Sequence, residues 1–501
     1  MENSKLTELL RTFSPTELKE FEQFLKSPYF VKGRDLTKYY KLLIKYYPAF
    51  NISKSEISKK YFRGNSSSED KKNKLLKTYN WELLKFADEF ISVNYFKSNI
   101  FSKNEVLINE YLRRKLGRRA DDTFNLLMKH LEEIKGDHYK YGNSVFAINA
   151  GTAAKRLVGK QNETFELFRM EAENLLKFFL HHSKYLLGCI TVHQGQYNSQ
   201  NKEENISGFL KNINLEKYLE GYSGTEENLE IQKMAVYNIL ILLYPENFKK
   251  YFPIVKQMLE KNVSQLGKTE SLNYITLLLN FLSQNYNIRH SEMMFEITNF
   301  ALDKGIYFEE NGSGMGIFAF RRALGNALNL GEIKWAEKFV KDNLSNILPD
   351  FQKNMELFGK ASIEHYKGNY EKSLMYISNY KMFDEVINYH AKELQIRNYY
   401  KLLKKKSEYF ETLEYAIDAF KHYLSESRKV TDKFYGIGMN FLEGLNLLIN
   451  FQYSESDKKK SDAIYKMKGF TPTTKNEWVV NEITGILNGL TKERKIVSSV
   501  R

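Results

Sequence analysis

The sequence predicts an all-α protein, an α-solenoid of antiparallel helix pairs with an N-terminal helical cap region. Apolar residues recur at helical spacing along most of the 501 residues. Strong helix-start signals recur near the N-terminus, and no alternating run with hairpin signals predicts a sheet. We divide the chain into an N-terminal helical region (1–100), a helical middle region (101–225) and a region of helix-pair repeats (226–501).

The N-terminal region contains a strong helix start, FSPTEL, which begins at Phe13. Ser14 at the N-cap can accept from the backbone N–H of Glu17, and the Glu17 side chain can reach back to the N–H of Ser14, which closes a capping box. Pro15 takes the first helical position, where a missing N–H costs nothing. Phe13 and Leu18 occupy the two positions of a hydrophobic staple. These features together predict a helix from Pro15.

The same pattern recurs twice, as ISKSEI and FSKNEV. The expected capping boxes pair Ser53 with Glu56 and Ser102 with Glu105, each flanked by apolar residues in the staple positions. Such a cap stabilises a helix start by roughly 0.5–2 kcal/mol and needs no ligand. We therefore interpret all three copies as structural.

The rest of the chain reads as one helix after another. The stretch KLLKTYNWELLKFADEFI (74–91) is apolar on more than one side, which predicts a central helix that touches several neighbours. From about residue 226 onward, short breaks of Gly, Asn, Ser or Pro separate the helical stretches, and the prolines lie at or near the predicted helix boundaries. We expect helix starts near residues 226, 247, 269, 290, 315, 333, 351, 370, 384, 408 and 431.

The composition excludes several classes of protein. Hydrophobic residues make up 42% and charged residues 27%, which predicts a folded chain. No apolar run reaches the roughly 18 residues of a membrane span, and the first residues lack the pattern of a signal peptide. Cys189 is the single cysteine, so an intramolecular disulfide is impossible and a reducing compartment is expected. We therefore expect a cytoplasmic protein.

The formal net charge of +14 is distributed unevenly. Residues 1–150 carry +9, residues 151–350 carry −1 and residues 351–501 carry +6. Basic ends can attract nucleic acid or acidic partners. Codon bias is the alternative, because only 16 of the 75 basic residues are Arg, and an AT-rich coding sequence tends to produce this excess of Lys.

Two segments of the repeat region, NLGEIKWAEKFV and YKGNYEKSLMYI, resemble the second half of a tetratricopeptide unit. In each, a glycine (Gly331 or Gly368) allows a tight turn between two helices. A small residue on the second helix (Ala336 or Ser373) lets the first helix approach closely. The glycines are 37 residues apart, and the aromatic–Leu-Gly–Tyr pattern of that family is missing from the first helices.

A wider resemblance covers most of the chain. It is carried by ELKEFEQFLKSPYF (17–30), YYPAF (46–50), KWAEKFV (334–340) and NYYKLLKKKSEYFETLEYAIDAFKHYL (398–424). Through these stretches the chain resembles a group of bacterial proteins of about 500 residues that are described as helical-repeat, tetratricopeptide-like proteins. The resemblance implies an α-helical solenoid. It brings no reaction and no catalytic residues.

The nearest approach to a reactive cluster is HHSKYLLGCITVHQ. On a continuous helix His182, Cys189 and His193 share one face. Zinc usually requires four ligands, or three and a water, and His182 would lie about 10 Å from Cys189 along the axis. Cys189 and His193 alone could form a thiolate pair. We favour the alternative, a small buried cysteine beside solvated or hydrogen-bonded histidines.

Two phosphate-binding patterns are incomplete. ENGSGMGIF (310–318) precedes a predicted helix that carries Arg321 and Arg322, and a glycine-rich turn at a helix N-terminus can hold phosphate. A dinucleotide fingerprint would need glycine at Ile317 and a preceding strand. LGKTES has Asn262 where a Walker motif requires glycine. We interpret ENGSGMGIF as a turn between helices and reject a Walker motif.

The segment RRKLGRR places four of only 16 arginines within seven residues. Arginine is the better clamp for phosphate and carboxylate, because its fork donates two parallel hydrogen bonds. The candidate residues for anion or nucleic-acid contact are Arg113, Arg114, Lys115, Arg118 and Arg119. The alternative is a solvated helix terminus with Gly117 at its C-cap, partly neutralised by Asp121 and Asp122. KLLKKKS (401–407) has a similar alternative.

The functional hypothesis from the sequence is a non-enzymatic interaction protein that binds a protein or peptide on the concave surface of a helical repeat. Tyr and Phe are abundant, and Tyr suits binding surfaces. The expected surface residues are Tyr366, Tyr370, Tyr376, Tyr380, Tyr389, Tyr399 and Tyr400. A basic RNA- or DNA-associated factor is the alternative. We expect no catalytic residues, metal, cofactor, small-molecule substrate or membrane partner.

Overall fold

The computed structural model describes residues 4–499 except 65, 136–137, 197–204, 223–225, 285–287, 309–313, 427–431 and 471–476. Within these residues the protein is all-helical and contains no β-strand, which confirms the predicted fold class at this level. None of the described helices is both long and apolar enough to cross a lipid bilayer.

The described chain forms twenty-four α-helices and four short 3₁₀ turns. The first nine helices are α1 (Lys5–Arg11), α2 (Pro15–Lys26), α3 (Thr37–Ile44), α4 (Lys54–Tyr61), α5 (Glu69–Ser98), α6 (Ile100–Arg113), α7 (Gly117–Glu133), α8 (His138–Leu157) and α9 (Thr164–Gln196). The next six are α10 (Asn205–Lys211), α11 (Leu215–Glu220), α12 (Glu226–Leu243), α13 (Phe248–Asn262), α14 (Lys268–Gln284) and α15 (Ile288–Asp303). The last nine are α16 (Ile317–Asn329), α17 (Ile333–Asn343), α18 (Pro349–Tyr366), α19 (Tyr370–Ser378), α20 (Glu385–Leu403), α21 (Phe410–Glu426), α22 (Asp432–Tyr453), α23 (Asp457–Gly469) and α24 (Glu477–Ser499).

The chain divides into two compact units. The first comprises Met1–Glu133 and Asn143–Ala172, and the second comprises Ile134–Gly142 and Glu173–Arg501. These boundaries differ from those of the three regions expected from the sequence. The units follow tertiary contacts, whereas the division of the sequence followed changes in the spacing and type of the helical segments.

Two of the three expected capping boxes are present. Ser14 accepts from the N–H of Glu17, whose carboxylate accepts from the N–H of Ser14 over 2.7 Å. Ser53 and Glu56 make the same reciprocal pair at the start of α4. Phe13, which precedes the first box, is buried in the core. The local signals therefore specified both helix starts.

The third expected box, Ser102 with Glu105, is wrong. Helix α6 begins three residues earlier than this box requires, and its N-cap is Asn99, whose side-chain oxygen accepts from the N–H of Ser102 over 2.9 Å. Val106 is exposed, so the expected staple is also absent. Asn is as good an N-cap as Ser, and Asn99 also ends α5, so the junction of two helices decided the start.

The core of the first unit is aromatic. The ring of Phe90, on α5, lies within 5.3–5.7 Å of the rings of Phe13, Phe21 and Phe24. Tyr40 packs edge-on against Phe21 and donates its hydroxyl to the carbonyl of Leu18 over 2.7 Å. Edge-to-face and tilted ring pairs of this kind add roughly 0.5–1.5 kcal/mol each beyond area burial.

Helix α5 is the central helix of this unit, as the sequence predicted. Its 30 residues contact α1, α2, α4 and α6. One side buries Leu76, Tyr79, Leu83, Ala87 and Phe90. Large apolar residues such as Trp81 and Tyr95 lie exposed elsewhere on the helix, which explains its weak amphipathic pattern.

The junction in RRKLGRR differs from the expectation. The residue with left-handed backbone after α6 is Lys115 (φ 59°), not Gly117. The N–H of Leu116 reaches the carbonyl of Tyr111 and the N–H of Lys115 reaches that of Leu112, which is a Schellman motif. Gly117 instead begins α7, where an added Cβ would lie 3.0 Å from Leu157. Close packing, not the turn, explains the glycine.

In the second unit most helices pack against the next helix in sequence, and α16 and α20 also contact α18. The starts of α12 to α22 lie within a few residues of the eleven positions expected from the sequence. One apolar core runs without interruption from Ile231 on α12 to Leu394 on α20. Pro253 does not lie at a helix boundary, where the sequence analysis expected prolines. It lies inside α13 and deprives that helix of one N–H donor.

The two glycine turns that resemble a tetratricopeptide unit have the same geometry. Gly331 and Gly368 both have left-handed backbone, with φ of 80° and 79°. Each closes a Schellman motif at the end of the preceding helix. Ala336 and Ser373 on the following helices are fully buried, and Ser373 donates its hydroxyl to the carbonyl of Ala361 on α18. The small residues therefore occupy close helix contacts, as predicted.

The corrected start of α6 can be tested with a matched pair of variants. Asn99→Ala should lower the free energy of unfolding by about 1 kcal/mol, because the backbone N–H of Ser102 in the first turn of α6 loses its acceptor. Ser102→Ala should change it by less than about 0.5 kcal/mol, because Ser102 is not the cap. Urea denaturation followed by circular dichroism measures both. A larger cost for Ser102→Ala than for Asn99→Ala contradicts the assignment.

Candidate functional site

The candidate site is a cavity of about 440 Å³ in the second unit. Helices α16, α18 and α20 supply most of its wall, and α14, α22 and α24 contribute one or two residues each. A volume of this size is typical of pockets that hold a small ligand or a few groups of a larger one. The site therefore depends on helices that are distant in the sequence.

A chain of polar contacts crosses the cavity wall. Arg321 Nη1, on α16, donates to His390 Nε2 on α20 over 2.9 Å. His390 Nδ1 lies 3.6 Å from Glu393 Oε2, and Glu393 forms an ion pair with Arg397. The last three residues are spaced three and four apart on α20, which places them on one helix face.

The protonation state of His390 follows from these contacts. A guanidinium only donates, so Nε2 of His390 accepts and Nδ1 carries the proton toward Glu393. Burial, followed by the nearby charge of Arg321, lowers the pKa of His390 to about 4. The imidazole is therefore neutral near pH 7, accepts from the Arg321 guanidinium and directs Nδ1 toward the Glu393 carboxylate 3.6 Å away.

Arg321 remains charged at neutral pH. Burial, with a further contribution from Arg322, lowers the pKa of Arg321 only to about 10. The Nε atoms of Arg321 and Arg397 are buried and have no hydrogen-bond partner among the described residues. A buried donor without an acceptor costs roughly 1–3 kcal/mol. Among the described lining residues, two guanidinium groups and the carboxylate of Glu393 give a net charge of +1.

Much of the remainder of the wall is apolar or aromatic, and Ser283, Asn329, Ser362 and Asn481 add uncharged polar groups. Leu324, Leu328 and Leu394 line it together with Tyr389 and Trp478. The guanidinium carbon of Arg397 lies 5.5 Å from the centre of the Trp478 ring, within the range of a cation–π contact. The cavity thus combines cationic donors with an apolar surface.

The tyrosines expected on a binding surface occupy different environments. Tyr366 and Tyr389 line the cavity. Tyr366 is 37% exposed and hydrogen-bonds Asn329, whereas Tyr389 is 1% exposed. Tyr400 is fully buried and donates to Gln452 over 3.1 Å, so its ring belongs to the core. The half-buried group comprises Tyr370, Tyr376, Tyr380 and Tyr399.

The structure places the side chains of RRKLGRR on the surface of the first unit, all five cations exposed. Arg113 and Arg114 both pair with Glu110. Arg118 has no acidic partner within the described part of the chain, and Arg119 lies 6.0 Å from the ring of Tyr111. Neutralisation comes from Glu110, which the sequence interpretation did not name.

The acidic residue expected to neutralise this cluster has another role. Asp121 is buried, forms an ion pair with Lys155 over 2.9 Å and accepts from Lys160 over 2.7 Å. These two lysines hold the pKa of Asp121 below its usual value despite its burial. Asp122 is exposed.

The cysteine interpretation is partly corrected. His182, Cys189 and His193 lie on one continuous helix, α9, as expected. Cys189 is exposed, not buried. Among the described residues no group of three or more His, Cys, Asp or Glu side chains could hold a metal ion.

The glycine-rich segment before α16 lies partly outside the described residues, which resume at Gly314. Gly314 has left-handed backbone (φ 71°), and an added Cβ would overlap the carbonyl oxygen of Asn346 at 1.8 Å. Met315 donates its N–H to the same carbonyl over 2.7 Å. A close backbone contact therefore accounts for this glycine. In KLLKKKS, Lys401 and Lys404 pair with Glu482.

Sequence reasoning missed a buried charged cluster beside the expected one. Lys184, His181 and Glu270 are all fully buried. Lys184 pairs with Glu270, and His181 Nδ1 lies 3.0 Å from the same carboxylate oxygen. The Lys184 ammonium lies 3.6 Å from the centre of the Tyr274 ring. Burial lowers the pKa of Lys184.

This second cluster joins α9 to α14 and is enclosed by protein. Removing one partner of such a pair usually costs 3–5 kcal/mol or so, because the other charge stays buried. The only signal in the sequence was His181 beside His182, and helical periodicity alone did not indicate which histidine faced inward. We assign this cluster a structural role.

No family model, curated protein or solved structure matches this chain. The resemblance to helical-repeat proteins therefore stays a prediction, and the residues that bear on function are those of the cavity and of the exposed arginine cluster.

The neutral histidines predict a loss of stability in acid. The pKa of His365, lowered to about 4 chiefly by burial, matches that of His390. Between about pH 6.5 and pH 4 the unfolded chain binds protons that the folded chain excludes, so stability falls as pH falls. Each histidine should contribute roughly 1–3 kcal/mol at most.

Thermal unfolding of the wild type and of a His365→Asn/His390→Gln double variant at pH 7, 6 and 5 measures this effect. Asn and Gln retain the hydrogen-bonding atoms of Nδ1 and Nε2, respectively. The double variant should show a shallower pH dependence. His422→Gln, at an exposed position, is the control and should match the wild type. Equal slopes for all three proteins contradict the argument.

Proposed function

We propose that this protein is a non-enzymatic interaction protein whose second unit holds a segment of a protein partner in the cavity lined by α16, α18 and α20. The observation that carries the proposal is the pairing of unmet cationic donors with apolar wall in one cavity. Interaction sites bury aromatic and Arg anchors in this way. The helical-repeat interpretation supplies the scaffold, since stacked helix pairs present their first helices on one surface.

The wall is held firmly enough to serve as a preformed site. Tyr366 on α18 hydrogen-bonds Asn329 on α16, and His365 on α18 hydrogen-bonds Asn398 on α20 over 2.7 Å. Asn398 also donates to Ser373 over 2.8 Å. Neighbouring wall helices are thus linked by polar contacts as well as by the core. Such preorganisation lowers the entropic cost of binding.

Site-specific photo-crosslinking tests the proposal. A p-benzoylphenylalanine at Tyr366, at the edge of the cavity, should capture a stoichiometric protein partner in cells that express the full chain. The same group at Tyr415, 77% exposed on α21 and outside the cavity lining, is the matched control. Capture at Tyr366 that Gly325→Leu abolishes supports the cavity as the site. Equal capture from both positions, or none at Tyr366, contradicts it.

A second candidate function is an association with RNA or DNA through the first unit. The specific observation is the exposed cation cluster of RRKLGRR, in which Glu110 is the single paired carboxylate among the described side chains. The first unit carries 30 Lys and Arg against 21 Asp and Glu, a formal charge of +9. Phosphate contacts of this kind give affinity without sequence specificity.

Binding of a labelled 20-nucleotide RNA and a DNA duplex at two salt concentrations tests this candidate. Replacing Arg118 and Arg119 with Ala should weaken binding about tenfold and reduce the salt slope by about 1–2. Arg169→Ala removes an exposed arginine of the same unit that lies outside the RRKLGRR segment, and it should have little effect. Weak binding that is independent of salt and unchanged in the double variant removes the candidate.

A further inference from the structure

We propose that the cavity binds one carboxylate group of a partner polypeptide between Arg321 and Arg397, with an adjacent apolar side chain against the leucine and aromatic wall. This inference rests on the proposed function and names the chemistry that the site recognises. The carboxylate can belong to a chain end or to an Asp or Glu side chain, and the two sources are separated by experiment.

The hydrogen-bond donors of Arg321 and Arg397 favour a carboxylate. Arg321 uses Nη1 on His390, and Arg397 uses Nη2 on Glu393. The Nε of each is buried and has no partner within the described chain. A guanidinium fork presents Nε together with one Nη to the two oxygens of a carboxylate. A carboxylate in the cavity would lie beside two guanidinium groups whose hydrogen-bonding capacity the described chain does not fill.

The charges of the cavity lining also favour a single carboxylate. Among the described lining residues two guanidinium groups face one carboxylate, Glu393, and His390, which accepts from Arg321, is neutral chiefly because it is buried. A net charge of +1 matches one carboxylate. A phosphate monoester carries about −1.5 to −2 near pH 7, and Glu393 would repel the excess. The cavity therefore favours a carboxylate over a phosphate group.

Gly325 leaves open space in the cavity wall. It lies inside α16 and lines the cavity, and an added Cβ would meet nothing within 4 Å. Its backbone is not left-handed, so neither packing nor conformation requires glycine there. Glycine in a helix interior is unfavourable relative to alanine. The absence of a side chain instead keeps space open beside Leu324 and Leu328, which suits an apolar side chain next to the bound carboxylate.

The test is a selection from a random ten-residue peptide library, made once with free C-terminal acids and once as C-terminal amides. Binding is measured with the full-length protein. Selected free-acid peptides that lose binding on amidation indicate a chain end, and selected amides rich in Asp or Glu beside apolar residues indicate a side chain. Either outcome supports the inference. Selected peptides without any required carboxylate, or phosphoserine peptides that bind better than Glu peptides, overturn it.

Variants locate the binding in the cavity. Arg321→Gln and Arg397→Gln should each weaken the selected peptide about 10- to 100-fold, the loss expected for a charge-assisted pair. Lys360→Gln removes an exposed charge of α18 outside the lining and should leave affinity unchanged. Melting curves verify that each variant folds. Equal affinity of folded Arg397→Gln and wild type overturns the inference.

The glycine offers a second, independent pair of variants. Gly325→Leu should fill the cavity and abolish peptide binding, whereas Gly325→Ala should raise the melting temperature and largely retain binding. If crosslinking at Tyr366 captures a partner but no carboxylate dependence is found, the carboxylate inference alone fails. If no partner is captured there and no peptide is selected, the proposed function fails with it.

Discussion

The burial of one continuous apolar core is the constraint on which the second unit depends. The cluster that begins at Ile231 and ends at Leu394 draws on nearly every helix from α12 to α20. A single helix buries too little surface to be stable alone, so each helix requires its neighbours. Ala336 and Ser373 serve this requirement, because their small side chains allow neighbouring helices to pack closely. The cavity wall exists because these helices are held side by side.

A charged group buried between helices needs a partner, which is either another side chain or a bound ligand. The chain contains one cluster of each kind. At Lys184 and Glu270 the charges satisfy each other in a fully enclosed site. At Arg321 and Arg397 each guanidinium is only partly satisfied, and open space adjoins both. The difference explains why the first cluster is assigned to stability and the second is proposed to bind a ligand, although both join basic side chains, a histidine and a glutamate.

Exposed charge has a different physical meaning from buried charge. The arginines of RRKLGRR remain hydrated, so their interactions are weak singly and screened by salt. Their effect would come from number and proximity, as in contacts with a polyanion. Lys115 adopts left-handed backbone to end α6, which places this cluster at a turn between two helices. Its position follows from local backbone geometry, whereas the cavity arginines are positioned by tertiary packing.

The sequence by itself determined the helical class, the positions of most helices, the caps at Ser14 and Ser53, and the turns at Gly331 and Gly368. These features depend on neighbours within a few residues, and local chemistry suffices for them. The cap of α6 at Asn99 is equally local but was not recognised, whereas tertiary structure alone decided that Gly117 serves packing. It also decided the site, because Arg321 and Arg397 lie on different helices, 76 positions apart in the chain. Helical periodicity specifies which face a residue occupies but not which distant residue faces it, so the convergence on one cavity could not be predicted from the sequence.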